Sequence, residues 1–65
     1  MKLSYRPLWI NLAAKGIKKT DLSRELNISS ATIAKMSKDQ IVSLKVIIKI
    51  CEALHCNIEE VCEIK

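Results

Sequence analysis

Apolar residues recur at helical spacing along most of this chain. The clearest run is Ile47, Ile50, Cys51 and Leu54, which follows i, i+3, i+4, i+7 and so forms one stripe of a helix. Leu44 extends that stripe backward, and Ser43 stands where an N-terminal cap belongs. Upstream, the spacing predicts a first helix over Pro7–Lys15, with Leu8 and Leu12 stacked on one face and Trp9 and Ala13 beside them. Proline is tolerated in a first turn, and Gly16 supplies a stop because it accepts positive φ. A second helix is expected from Thr20, its hydroxyl capping the free amides and Asp21 lying on the positive end of the dipole. Leu22 and Leu26 point inward, and Asn27 ends this helix as the best substitute for glycine at a left-handed position. A third helix runs from Ser29 to about Ser37 with Ile33 and Met36 on its apolar face, and residues 38–42 read as a loop. Asn57 with Glu60 three residues on makes a capping-box pattern for a short fifth helix, with Ile58 and Val61 over the end of the core. Period-two alternation is absent from most of the chain. Only the termini, Lys2–Ser4 and Cys62–Ile64, alternate in part, which allows them to pair as a small ladder. The expected architecture is all-α, a compact five-helix bundle forming one domain over residues 1–65.

Sixty-five residues hold a small core and leave little room for a shielded pocket. Neither a nucleophile–base pair nor a phosphate loop is visible, so the expectation is a protein that is no enzyme and has no small-molecule substrate and no cofactor. Tyr5 and Trp9 are the two aromatic residues; Trp9 is expected half-buried and Tyr5 at the edge of the core. No apolar run is long enough for a membrane span, and Met1-Lys2-Leu3 opens no signal peptide, which predicts a cytoplasmic address.

Charge sharpens this picture. The net charge is +4, but residues 1–50 carry ten Lys/Arg against three acids, whereas residues 51–65 carry Lys65 against Glu52, Glu59, Glu60 and Glu63. A basic body with an acidic end suggests one surface for a polyanion and another turned away from it. Cys51, Cys56 and Cys62 are an odd set without an export signal, which speaks against a disulfide framework. They and His55 lack a C-x-x-C pair, so small buried cysteines are expected in place of a metal site. His55 is expected at the end of its helix, near the last carbonyls.

Chemistry meets spacing in residues 19–36, KTDLSRELNISSATIAKM. Two short helices flank a sharp turn. Close crossing of such a pair needs a small residue near the contact, which Ser23 supplies, and a residue able to turn sharply, which is Asn27. Leu22, Leu26, Ile28 and Ile33 anchor both sides. The outward face of the second member carries Ser29, Ser30, Ala31, Thr32, Ala34, Lys35 and Lys38, side chains small or basic enough to lie deep in a major groove.

On these residues the chain resembles the Cro/cI, or XRE-type, helix-turn-helix family, particularly its short regulators from phages, plasmids and other mobile elements. The matching stretches are Lys2–Tyr5 with Leu8-Trp9, then Lys18–Leu22, then Ile28–Met36, then Val42–Leu44 through Ile50–Leu54, and finally Asn57–Val61. The resemblance implies a lambda-repressor-like DNA-binding domain, with the helix-turn-helix at helices two and three and the third helix reading double-stranded DNA. By the family pattern Ser29, Ser30, Ala31 and Lys35 fall at base edges, and Thr20, Thr32 and Lys38 at phosphates. Lys18, Lys19 and Arg24 add attraction that is independent of base sequence. The reading positions hold no Gln, Asn or Arg, so Lys35 is the one residue there able to make a strong contact, to guanine. The expected assembly is a homodimer built on the fourth and fifth helices, where Val46 or Ile48 lies off the core stripe. The alternative is a protein-interaction or antitoxin-like module that keeps the fold without strong DNA binding.

Overall fold

The computed structural model describes all residues, Met1–Lys65. Four α-helices follow one another: α1 (Arg6–Lys15), α2 (Lys19–Leu26), α3 (Ser30–Ser37) and α4 (Leu44–Leu54). A two-residue strand, β1 (Leu3–Ser4), precedes them, and a second, β2 (Glu63–Ile64), closes the chain. The two strands pair antiparallel, with Leu3 opposite Ile64 and Ser4 opposite Glu63. Beyond them Lys2 and Lys65 exchange both backbone hydrogen bonds, at 2.7 and 2.8 Å.

The expected fifth helix is one turn of 3-10 helix, Ile58–Glu60. The bundle therefore has four α-helices, not five, and carries a small ladder besides. Half of the capping box forms there, since the Asn57 amide donates to Glu60 Oε2 at 3.0 Å. Val61 is fully buried behind the turn, whereas Ile58 is exposed. With three residues in the turn, only one of these two apolar side chains reaches the core.

The core is Tyr5, Leu8, Leu12, Leu22, Ile28, Ile33, Met36, Ile47, Ile50, Leu54 and Val61. Each helix contributes the face that its spacing predicts. Leu44 departs from this: at the first position of α4 it is 63% exposed, and the buried stripe begins with Ile47. Val46, in contrast, is half-buried against the core. No helix is long and apolar enough to cross a membrane.

Helix starts follow the side chains available. Ser29 Oγ accepts the Thr32 amide at 3.2 Å and Ser43 Oγ accepts the Val46 amide at 3.4 Å, both as expected of serine caps. α2 differs. It begins before Thr20, with Lys18 in the cap position, because the Asp21 carboxylate reaches back to accept the Lys18 amide at 3.2 Å. Thr20 thus sits inside the first turn and caps nothing.

The helix ends share one device. Gly16, Asn27, Asp39 and His55 all take left-handed conformations, with φ of 69°, 55°, 57° and 53°. In each case the next residue donates its amide to a carbonyl five residues back: Ile17 to Leu12, Ile28 to Ser23, Gln40 to Lys35 and Cys56 to Cys51, at 2.9–3.1 Å. These are Schellman endings, which satisfy carbonyls that the helix leaves free and bring the two residues of each pair together.

Candidate nucleic-acid interface

α2 packs on α3 across the turn centred on Asn27. Ser23 stands at this crossing, half-buried, as its size suggested. It does more than leave space: its hydroxyl donates to the Ile28 carbonyl, while the Ile28 amide donates to the Ser23 carbonyl at 3.0 Å. Side chain and backbone of one residue therefore hold both polar groups of Ile28 and fix the angle at which α3 leaves the turn.

Ile33 and Met36 bury one side of α3. On the opposite side Ser29, Ser30, Ala31, Ala34, Lys35 and, just beyond the helix, Lys38 are exposed. Thr32 is half-buried at the margin, with its hydroxyl 2.9 Å from that of Ser29. Eight residues of helix span about 12 Å, a length that fits within a DNA major groove about 12 Å wide.

The first turn of α2 borders this surface. Lys19, Thr20, Arg24 and Ser30 line one shallow cleft between α2 and α3, with Ser23 and Ile33. Three of the residues singled out from the sequence, Lys19, Thr20 and Ser30, are thereby brought together. Lys35 and Lys38 extend the polar surface along α3, away from the cleft.

Lys19 is held more firmly than a solvated lysine. Its ammonium lies 4.2 Å from the centre of the Trp9 ring and donates to Ser37 Oγ at 3.1 Å. One cation thus touches α1 and α3 from a base on α2. A contact of this kind contributes about 0.5–1 kcal/mol at an exposed site. Arg24, in contrast, pairs with Asp21 at 2.8 Å, which offsets part of its attraction for a polyanion.

Sequence spacing did not reveal the clamp behind α3. Tyr5 is fully buried, and its hydroxyl donates to the Gln40 carbonyl at 2.8 Å. Its amide donates to Asp39 Oδ1 at 3.1 Å. Asp39 and Gln40 are the left-handed residue and its successor at the end of α3, so the residue that starts α1 fastens the end of the exposed helix. Burial pushes the Tyr5 phenol above its usual range.

A short helix held at both ends, with a small and basic outward face and a partner helix crossing behind it, defines a helix-turn-helix domain. The family of Cro/C1-type helix-turn-helix DNA-binding domains matches the chain over residues 7–65. The chain belongs to that family. Among solved structures it is similar to the crystal structure of the transcriptional regulator VanUg (form II), at 37% identity and a TM-score of 0.92. That similarity covers 95% of this chain and 83% of the other. A comparison with curated proteins gives no match.

Proposed function

We propose that this protein is a sequence-selective transcriptional regulator that binds double-stranded DNA as a homodimer in the cytoplasm, with α3 in the major groove. The observation that carries the reading is the division of α3 into a buried apolar side and an exposed side of small and basic residues. Ser29, Ser30, Ala31 and Lys35 face base edges, with Lys35 directed to guanine O6 and N7. Lys19, Thr20, Thr32 and Lys38 hold phosphates. The similarity to VanUg, a transcriptional regulator, supports the regulatory role.

Dimensions support two copies. The molecule measures 31 × 23 × 18 Å and offers one reading helix. Successive major grooves on one face of DNA lie about 34 Å apart, beyond the reach of a single copy. Leu44 and Ile48, one turn apart on α4, are 63% and 51% exposed, and Ile41 just before them is 82% exposed. A two-fold axis crossing α4 antiparallel near Ile48 covers these residues and brings Lys45 beside the partner's Glu52, so the patch is complementary to itself in charge.

Selection of bound duplexes from a random pool tests the reading, because it reports binding, base preference and half-site spacing together. The expected product is a two-fold symmetric site with half-sites about 10 base pairs apart. Lys35→Ala is expected to cost about 1–3 kcal/mol and relax preference at one position. Lys38→Ala is expected to weaken all sequences alike and reduce the salt slope by about 1. Negligible affinity for any DNA at low salt would end this reading.

A second reading is favoured by the absence of Gln, Asn and Arg from the exposed side of α3. A protein-interaction or antitoxin-like module would keep the fold without gripping DNA. Unchanged activity of the Lys35→Ala, Lys38→Ala double variant in a cell reporter supports that alternative.

A further inference from the structure

The four helix endings repeat one geometry but differ in the pair of side chains brought together. Leu12 and Ile17 are both apolar and pack against the core. Ser23 and Ile28 share hydrogen bonds. Lys35 and Gln40 are both exposed. The fourth pair is Cys51 and Cys56. Here the Cys56 amide donates to the Cys51 carbonyl at 3.1 Å, with His55 in the left-handed conformation between them. The two side chains leave the same end of α4, one on either side of that backbone bond. Both are half-buried, and both line one open depression with Glu52, His55 and Asn57. The pair is therefore reachable from solvent. Cys62, also half-buried, lies in the tail beyond the 3-10 turn. Together with His55 and the neighbouring carboxylates, these cysteines do not come together as a metal-holding group.

We propose that Cys51 and Cys56 form a reversible redox site that closes to an intramolecular disulfide by exchange with a low-molecular-weight disulfide such as oxidised glutathione. The helix ending meets the geometric demand for such a bond, since a disulfide needs its two α-carbons within about 7 Å and its β-carbons converging. The six-to-one backbone hydrogen bond draws the two residues together across the helix end, and both side chains line the same depression. The chemistry runs in two exchanges. One of the two thiols, Cys51 in this scheme, loses its proton and attacks one sulfur of the reagent; a mixed disulfide forms and one glutathione thiolate leaves. Cys56 then loses its proton and attacks the Cys51 sulfur of the mixed disulfide, forming the Cys51–Cys56 bond and expelling the second glutathione thiolate. The two thiolates take up the two protons, so two protein thiols and one reagent disulfide become one protein disulfide and two reagent thiols. Burial pushes both cysteines up, with Glu60 adding to it at each. Few thiolates exist at neutral pH, so the exchange is slow and answers to a sustained oxidising poise. A reversible bond of this kind is the form that disulfides take in a reducing compartment.

The test treats the intact folded protein with oxidised glutathione, blocks remaining thiols with iodoacetamide, and maps the products by digestion and mass spectrometry. The expected product links Cys51 to Cys56 and leaves Cys62 alkylated. The Cys62→Ser variant is expected to give the same bridge, whereas Cys51→Ser leaves Cys56 unbridged or joined to glutathione. The same reaction in denaturant supplies the control. In the unfolded chain the loops closed by Cys51–Cys56 and Cys56–Cys62 are nearly equal in length, so the two bridges form in comparable amounts. Folding is expected to favour Cys51–Cys56 over Cys56–Cys62 by at least about tenfold, because the helix ending holds the first pair across one backbone hydrogen bond. Equal yields in the folded state, a predominant bridge that includes Cys62, intermolecular linkage alone, or three alkylated thiols would each overturn the proposal. None of these readouts depends on DNA binding.

Discussion

Replacing Tyr5 by Phe removes one oxygen and leaves the ring that fills the core. The lost bond is the 2.8 Å contact from the phenol to the Gln40 carbonyl. A neutral intramolecular hydrogen bond contributes a net 0.5–1.5 kcal/mol, roughly, and deleting one partner costs more when the other is left dry. Gln40 is an exposed residue, so water reaches its carbonyl once the phenol is gone. The expected loss is therefore about 1 kcal/mol, near the middle of that range. In a domain of 60–100 residues such a loss lowers Tm by about 4–8 °C. A single core below about 70 residues supplies only about 3–5 kcal/mol of stability, so the variant stays folded but with a visibly reduced margin. Truncation to Ala instead empties a fully buried site, at about 3–5 kcal/mol, and is expected to leave little folded protein. Thermal and urea unfolding followed by circular dichroism at 222 nm measure both. The expected signature for Tyr5→Phe is a lower urea midpoint with an unchanged slope, since the surface exposed on unfolding is the same. A variant with the melting temperature of the parent would refute the clamp on the end of α3, and with it the account of how that helix is held.

Three further outcomes are expected. His55→Gly removes a side chain from a left-handed position that costs an ordinary residue about 1–2 kcal/mol, so Tm should rise by a few degrees; a fall would show that the imidazole makes a contact worth more than the strain. Because burial pushes the Tyr5 phenol up, the unfolded chain ionises first as pH rises through the ordinary phenol range near 10, and the folded state loses stability from there upward. The half-buried cysteines act with the same sign at lower pH, so the diagnostic quantity is the Tm gap between the parent and Tyr5→Phe, which should narrow above about pH 10 and stay constant below it. The double variant Leu44→Asp, Ile48→Asp changes exposed positions, so its melting curve at low concentration should move by no more than about 0.5 kcal/mol per site. Its sedimentation coefficient should be that of a monomer, and a persisting dimer would move the contact elsewhere.

What the sequence reveals here depends on the range of the interaction. The stripe of Ile47, Ile50 and Leu54 and the caps Ser29 and Ser43 arise within one or two turns, and all are found where the spacing puts them. Asn27 was legible too, because asparagine tolerates a left-handed backbone. Asp39 adopts the same conformation without that signal. What holds it is Tyr5, at the start of α1 and 34 residues away in sequence, a distance that no periodicity reports. At the start of α2 two local signals competed. Thr20 is a good capping residue, but a carboxylate reaching back three positions prevailed and moved the boundary to Lys18. Leu44 shows the limit of a helical wheel, which gives the direction of a side chain but not where the core beneath it stops. The exposed side of α3 was legible because it needed only the direction of Ile33 and Met36. The engagement of Lys19 with Trp9 and Ser37 was not, because it joins three helices.

The pairing of β1 with β2 has a topological consequence. With Lys2 and Lys65 exchanging both of their backbone hydrogen bonds, residues 1–65 form a nearly closed loop. A connector of a few residues between Lys65 and Met1 would close it without disturbing a helix. Reopening it at Ile41, in the exposed stretch between α3 and α4, then yields a circular permutant with every element intact and α3 last in order. In that arrangement a fused domain would sit directly beside the exposed face of α3, and the native order of the helices would be one of several that the same packing accepts.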